Sequence, residues 1–208
     1  MNTSYAQCTW GFIAKQQFGT QRYIVTAGHC GKVGTALKHN AVTVSGTGGV
    51  DKNNFDMTNS LCCFADAMRA PTKSLAGFAS PYNLVYLNST EPGAAITGTV
   101  SKSAQAIGAG VCYVGRTSGL KCGAIETKSL DATVCRTLVD NTCKFMYDLV
   151  RMDKTASDGD SGGPALYGGK AYGIVTAKDP NHGNKMVYSA INEVESTLGV
   201  YTCTTAAC

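Results

Sequence analysis

No stretch of this sequence is apolar for long enough to cross a membrane as a helix, and none carries the Ala, Leu, Glu and Lys runs of a long amphipathic helix. Its core must therefore come from short strands joined by tight turns, which suits its 24 glycines and its many Thr, Val, Ser and Tyr residues. Clustered basic charge is also missing. Lys and Arg number 18 against 14 Asp and Glu, for a net charge of +4, but they are scattered singly and build no stripe to hold nucleic acid or an anionic membrane. The chain has no Cys-x-x-Cys pair, and His39 and His182 have no partner at ligand spacing, so neither a metal nor another cofactor is implied. Residues 1–6 hold neither the basic nor the apolar region of a secretory leader, so a leader and any pro-segment are expected to lie outside this sequence. There is no internal repeat and no low-complexity segment.

Cysteine, by contrast, is plentiful. Ten in 208 residues, without zinc-like spacing, read as a disulfide framework, and hence as an oxidising compartment and a secreted protein. The length accommodates one large domain or two small ones. Asn2-Thr3-Ser4 and Asn88-Ser89-Thr90 match the glycosylation acceptor pattern, but three residues are too few to outweigh their reading as ordinary surface asparagines.

In chain order, two apolar runs, Trp10 to Ala14 and Tyr23 to Val25, flank a polar stretch and predict a hairpin. Val42, Val44 and Val50, punctuated by Gly46, Gly48 and Gly49, continue the strand pattern, and residues 62–68 predict another apolar strand. Residues 79–99 carry Pro81, Pro92 and Gly93 and read as the passage between two halves. Further strands are predicted around 106–114, 119–125, 132–139, 145–152 and 171–175. Ile191, Val194 and Leu198 have helical spacing, with Ser189 placed to cap the start and Gly199 to end it.

Two stretches carry chemistry. In Gly159-Asp160-Ser161-Gly162-Gly163-Pro164, glycines on both sides of an acid and an alcohol let the backbone turn tightly and leave one hydroxyl available for attack. An alcohol is unreactive at neutral pH without a base, and that base needs a partner to hold its tautomer. Thr26-Ala27-Gly28-His29-Cys30, at the end of the run Tyr23-Ile24-Val25, supplies an imidazole on a rigid strand end. Each motif alone fits a plain turn or a packed histidine; the two together, in this order, do not.

These stretches resemble the chymotrypsin-like serine proteases. Cys8-Thr9-Trp10-Gly11-Phe12, Gly115-Arg116-Thr117-Ser118-Gly119 and the terminal helix resemble the compact streptogrisin-type bacterial branch. The resemblance implies an all-β fold: two packed antiparallel six-stranded β-barrels with a short C-terminal helix, divided as residues 1–90 and 91–208. It implies a serine endopeptidase with Ser161 as nucleophile, His29 as base and the backbone N–H groups of Gly159 and Ser161 as the oxyanion hole. For the orienting acid, Asp66, 37 residues after His29 and set among Phe64-Ala65 and Ala67-Met68, is preferred to Asp56, which lies 27 residues after His29 in a more polar stretch.

The resemblance also implies a substrate pocket formed by Thr155, Ala156, Asp158, Thr176, Ala177, Lys178 and Met186. Its floor position, Thr155, is small and uncharged, so a Lys or Arg side chain would enter unpaired. Cleavage after uncharged residues of small to medium size is expected, with an acidic preference as the alternative if Lys178 points inward rather than to solvent. Asp160 is expected to be buried against Arg116. Disulfides Cys8–Cys30 and Cys112–Cys122 match bridges of the compact branch. Cys135–Cys143 is then the local remainder, and Cys62 and Cys63 are left for Cys203 and Cys208 in either order. Partners are protein or peptide substrates, and the chain is expected to act as a monomer. Two other classes compete: an inactive protease fold serving as a binding module, and an esterase, whose Gly-x-Ser-x-Gly elbow is matched here but whose histidine follows the serine rather than preceding it.

Overall fold

A computed structural model describes residues 7–16, 18–39, 42–57, 63–73, 82–87 and 93–208. Asn2, Cys62, Asn88 and the junction at 90/91 lie outside the described residues.

The first half contributes β1 (Ile13–Lys15), β2 (Arg22–Thr26), β3 (Lys38–His39), β4 (Val42–Thr43), β5 (Lys52–Asn53), β6 (Met68–Pro71) and β7 (Leu84–Val85). The second contributes β8 (Ala94–Ala95), β9 (Gly98–Thr99), β10 (Gly110–Gly115), β11 (Gly119–Arg136), β12 (Thr142–Thr155), β13 (Pro164–Tyr167), β14 (Lys170–Asp179), β15 (Lys185–Ala190), helix α1 (Ile191–Leu198) and β16 (Tyr201–Thr202). One sheet has the order β16-β1-β2-β6-β5; the other has the order β13-β10-β11-β12-β15-β14-β9. In the second sheet β13 also pairs with β14, so the hydrogen-bonded ladder runs round a ring of six strands. Two two-stranded ladders, β3–β4 and β7–β8, and an isolated antiparallel bridge between Ser45 and Thr72 complete the described pairing. Apart from β9 on β14, every pairing is antiparallel.

Alternation explains the strands. Along β10, Val111 and Tyr113 are buried while Cys112 between them is not, and the inward residues join Ile125, Val150, Met152, Val175 and Tyr188 in one core. The other large core packs Tyr23, Ile24, Val25 and Met68 of the first sheet against Ile191, Val194 and Leu198 of α1, so the helix from the chain's end seals the first half. Gly199 ends the helix at φ 67°, as its sequence position predicts. The start differs from the prediction. Ser189 lies inside β15 with its hydroxyl engaged by the N–H of Asp66, and the cap position falls to Ala190, whose methyl group offers no acceptor.

Three further readings are corrected. The apolar segment at 62–68 becomes a strand only at Met68, leaving Asp66 in a buried irregular stretch ahead of β6. The separate strands predicted at 119–125 and 132–139 form one continuous strand, β11, with shifts of register that let 18 residues bend. Among the disulfides, Cys8–Cys30, Cys112–Cys122 and Cys135–Cys143 form, but Cys203 pairs with Cys208 rather than with Cys62 or Cys63. A separation of only five residues lets the tail close a local loop, whereas Cys63 is buried beside Phe55, Val134 and Met146 in a third apolar cluster.

Candidate active site

His29 sits in a single 3-10 turn, Gly28–Cys30, directly after β2. A glycine precedes it for a steric reason: a Cβ on Gly28 would lie 2.8 Å from Asn53 Oδ1 and 3.0 Å from Asp66 Oδ1. Asp66 is fully buried and takes His29 with both oxygens, Oδ1 accepting the backbone N–H at 2.8 Å and Oδ2 facing Nδ1 at 2.6 Å. An ionised carboxylate can only accept, so this contact places the proton on Nδ1 and leaves Nε2 with its lone pair. Burial disfavours the imidazolium, but the charge and hydrogen bond of Asp66 outweigh it, and His29 is held above its ordinary pKa; Arg136 pulls weakly in the opposite direction.

Asp66 is itself fixed from the second half. Its N–H donates to Ser189 Oγ at 3.0 Å, and Ser189 is bonded to Thr176 through Oγ at 2.7 Å and through its N–H at 3.1 Å. Asp56 is placed elsewhere, accepting from Arg136 at 2.6 Å and from the Val33 N–H at 2.7 Å. Asn53 spans the turn from below: its Nδ2 donates to the carbonyls of Gly28 at 3.0 Å and Gly31 at 2.8 Å, while Oδ1 caps the N–H of Phe55. Neither Asn53 nor Ser189 carries a sequence signal for this role. One stands in a polar stretch, and the other mimics a helix cap.

The Ser161 loop depends on two left-handed glycines, Gly159 at φ 98° and Gly162 at φ 85°. A side chain on Gly162 would collide with Thr26 Oγ1 and the Thr9 carbonyl, so the loop lies directly on the strand end that leads to His29. Thr9 fastens it there, with its N–H on the Ser161 carbonyl and its hydroxyl on the Gly159 carbonyl, both at 2.8 Å. The Asp160 N–H turns back to Ser157 O at 3.1 Å. Among the described residues, the N–H groups of Gly159 and Ser161 have no acceptor and the Ser161 hydroxyl has no hydrogen bond, so all three are available to a ligand.

Asp160 is fully buried, and the expected Arg116 is not among its partners: Arg116 is exposed, and the carboxylate is met by other groups. Three backbone N–H groups stabilise the carboxylate instead, from Thr117 at 3.0 Å and from Ser118 and Ser157 at 2.9 Å. Directed N–H donors can stand in for a cation around a buried carboxylate. The Tyr113 hydroxyl donates to Thr155 O at 2.6 Å, and burial helps push its pKa up to about 12.

Of the expected pocket residues, Ala156 is buried at the head of the Ser161 loop, Ala177 is half-buried, and Thr155 and Asp158 are exposed. Lys178 reaches across to Asp158, 2.8 Å away. Thr176 and Met186 are corrections, since both are buried and present no side-chain surface: Thr176 is bonded to Ser189, and Met186 lies in the second core. Lys121 also donates to Thr155, to the carbonyl at 3.1 Å and to Oγ1 at 3.3 Å. The one group at metal-ligand spacing among the described residues is Cys8, His29 and Cys30, whose two sulfurs are spent in a disulfide.

Two β halves meeting at a glycine-held serine and an acid-held imidazole define the class of chymotrypsin-like serine endopeptidases. The profile of the trypsin family matches residues 10–198, and the chain belongs to that family. Streptogrisin-C of Streptomyces griseus is 26% identical over 202 residues, covering 96% of this chain, while the chain spans 38% of that protein's length. Among solved structures, Thermobifida fusca protease A superposes with a TM-score of 0.70 at 27% identity, covering 95% of this chain and 91% of that one. A Nocardiopsis protease gives a TM-score of 0.70 at 24% identity, with 94% and 92% covered, and so supports the fold alone.

The surroundings of Asp160 set an expected outcome for two variants. Arg116→Ala will leave the unfolding free energy within about 0.5 kcal/mol of the parent. Asp160→Ala, which strands three N–H donors, will lower it by at least about 2 kcal/mol in urea denaturation.

Proposed function

We propose that the chain is a secreted endopeptidase that hydrolyses peptide bonds through an acyl-enzyme. Ser161 Oγ attacks the carbonyl carbon while His29 Nε2 takes its proton. The oxyanion that forms is met by the N–H groups of Gly159 and Ser161, and His29 then passes its proton to the leaving amine before water repeats the cycle on the ester. Asp66 stays ionised and holds the tautomer. The observation that carries this reading is the two-oxygen grip of Asp66 on His29 beside a serine loop with two unspent N–H donors. Residues 1–90 would supply His29 and Asp66, and residues 91–208 the nucleophile, oxyanion donors and pocket. All of these groups come from one chain, which supports action as a monomer. Four disulfides among the described residues support an oxidising, extracellular site of action.

The proposed pocket takes uncharged side chains of small to medium size, because the small residues Thr155 and Ala156 offer no carboxylate to pair a substrate cation. An acidic preference is the second reading. It is favoured by Lys121 on Thr155 and by Lys178, whose partner Asp158 is exposed enough to be displaced by a substrate carboxylate.

A fluorophosphonate will label Ser161 in the parent; a folded parent that takes no label would favour a binding module instead. Asp66→Asn will lower kcat by on the order of 10⁴, and Asp56→Asn by far less. The acid limb of kcat/KM will lie above the ordinary imidazole value of about 6.5. The sign follows from the raised His29 pKa: the base stays protonated to higher pH, so activity appears later on the alkaline side. The His29–Asp66 pair stabilises the fold below the ordinary imidazole pKa and loses that contribution as pH rises through the raised one.

On peptides differing only at the residue before the scissile bond, Ala, Leu or Met will exceed Glu, and Lys will be poorest. A Glu optimum that is lost in Lys178→Gly would establish the second reading, and a Lys or Arg optimum would refute both.

A further inference from the structure

Arg136 ends β11 at the tip of the long β11–β12 hairpin, where Cys135–Cys143 closes the strands. It belongs to the second sheet, yet its guanidinium is buried against the loop that follows His29. Nη1 donates to the Gly31 carbonyl at 2.9 Å and to Asp56 Oδ1 at 2.6 Å; Nε and Nη2 grip Asp140 at 3.0 and 2.9 Å. The guanidinium also stands 5.2 Å from the centre of the Phe55 ring. Gly31 immediately follows the turn that carries His29, and its carbonyl accepts from Arg136 and from Asn53 together. Asp56, through Oδ2, holds the Val33 N–H, so the segment 31–33 is tied to the same cation at two points.

We propose that Arg136 is a positioning residue for His29, fixing the far end of its turn from the hairpin tip as Asp66 fixes the imidazole. A buried ion pair is a poor device for stability alone, since apolar groups of similar volume often serve as well or better. A planar fork that meets a carbonyl and two carboxylates at once is a good device for fixing a loop, and a lysine cannot reproduce it. The charged groups that act on His29 are Asp66 and, more weakly and with opposite sign, Arg136. Asp56, Asp140 and Lys32, the last 2.8 Å from Asp140, lie around the guanidinium. The role assigned to Arg136 rests on the catalytic reading of His29.

The test combines pH profiles of kcat/KM with NMR titration of the His29 imidazole in a Ser161→Ala background, for Arg136→Met and Arg136→Lys. Arg136→Met will lower the plateau by about tenfold or more as the base loosens, and it will shift the acid limb and the His29 titration upward together by about half a pH unit. Arg136→Lys will return the limb toward the parent while the plateau stays low, because charge is restored without the fork. If Arg136→Met does not fold, Asp140→Asn keeps the Arg136 bonds to Gly31 and Asp56 while removing a counter-charge and one of the two bonds to residue 140, and the His29 titration will move down. A lowered Tm with plateau, limb and titration all unmoved would overturn the proposal. The titration needs no turnover, so a parent that neither labels at Ser161 nor cleaves peptide would defeat the catalytic reading while the Arg136 contact is still measured.

Discussion

The structure turns on one buried carboxylate. Asp66 has no exposed surface, and an ion so placed is tolerated only when its lone pairs are met. Two are met by His29, through its ring and its backbone, and Ser189 anchors the peptide that carries the acid. Asp66 and His29 belong to the first half and Ser189 to the second. The same contacts that make the carboxylate tolerable therefore fix how the halves meet. Gly162 against Thr26, and Thr9 on the Ser161 and Gly159 carbonyls, form the other side of the junction. The serine loop and the histidine turn are each held by contacts that contain neither Ser161 Oγ nor His29 Nε2.

A second tie runs over this junction. The β11–β12 hairpin leaves the second sheet, buries Val134 and Met146 with Phe55 and Cys63 of the first half, and ends at Arg136. Its outer surface carries an aromatic pair, Phe145 on Tyr147 with ring centres 5.0 Å apart. Apolar packing, the buried Arg136 and the Lys144 ammonium, which donates to the Asn54 and Met57 carbonyls, share this contact.

Much of the site was legible because its chemistry is written in short local motifs. His29 and Ser161 each lie in a run whose glycines have a steric reason to be there, and Gly28 and Gly162 meet their neighbours at distances no side chain could tolerate. Asp66 is preferred through the resemblance, as an acid opening a buried strand between apolar flanks; the fold does bring it to His29, but ahead of the strand that begins at Met68. What could not be read depends on which distant segments meet. Asp160 looked in need of a cation, and sequence offered Arg116; the fold instead aims three N–H groups at it, a solution with no residue signature. Ser189 carried the signature of a helix cap one residue too early, and its true partner is 123 residues away. Cys203 and Cys208 were separated in the reading because nothing in sequence reveals that the tail folds back on itself. Arg136, in a run read only as a strand, was invisible until its hairpin reached across.

The place of β16 has a consequence for how the chain acquires its shape. Ala14 of β1 is registered against Thr202 of β16, so the first sheet takes its edge from residues near the far end of the sequence. Helix α1, just before that strand, closes the same core. The early segments therefore cannot finish folding by themselves; they wait for a partner separated from them by nearly the whole chain. Pairings this remote must meet the entropy of closing a very long loop before any contact rewards it, which places the barrier high and makes self-assembly slow.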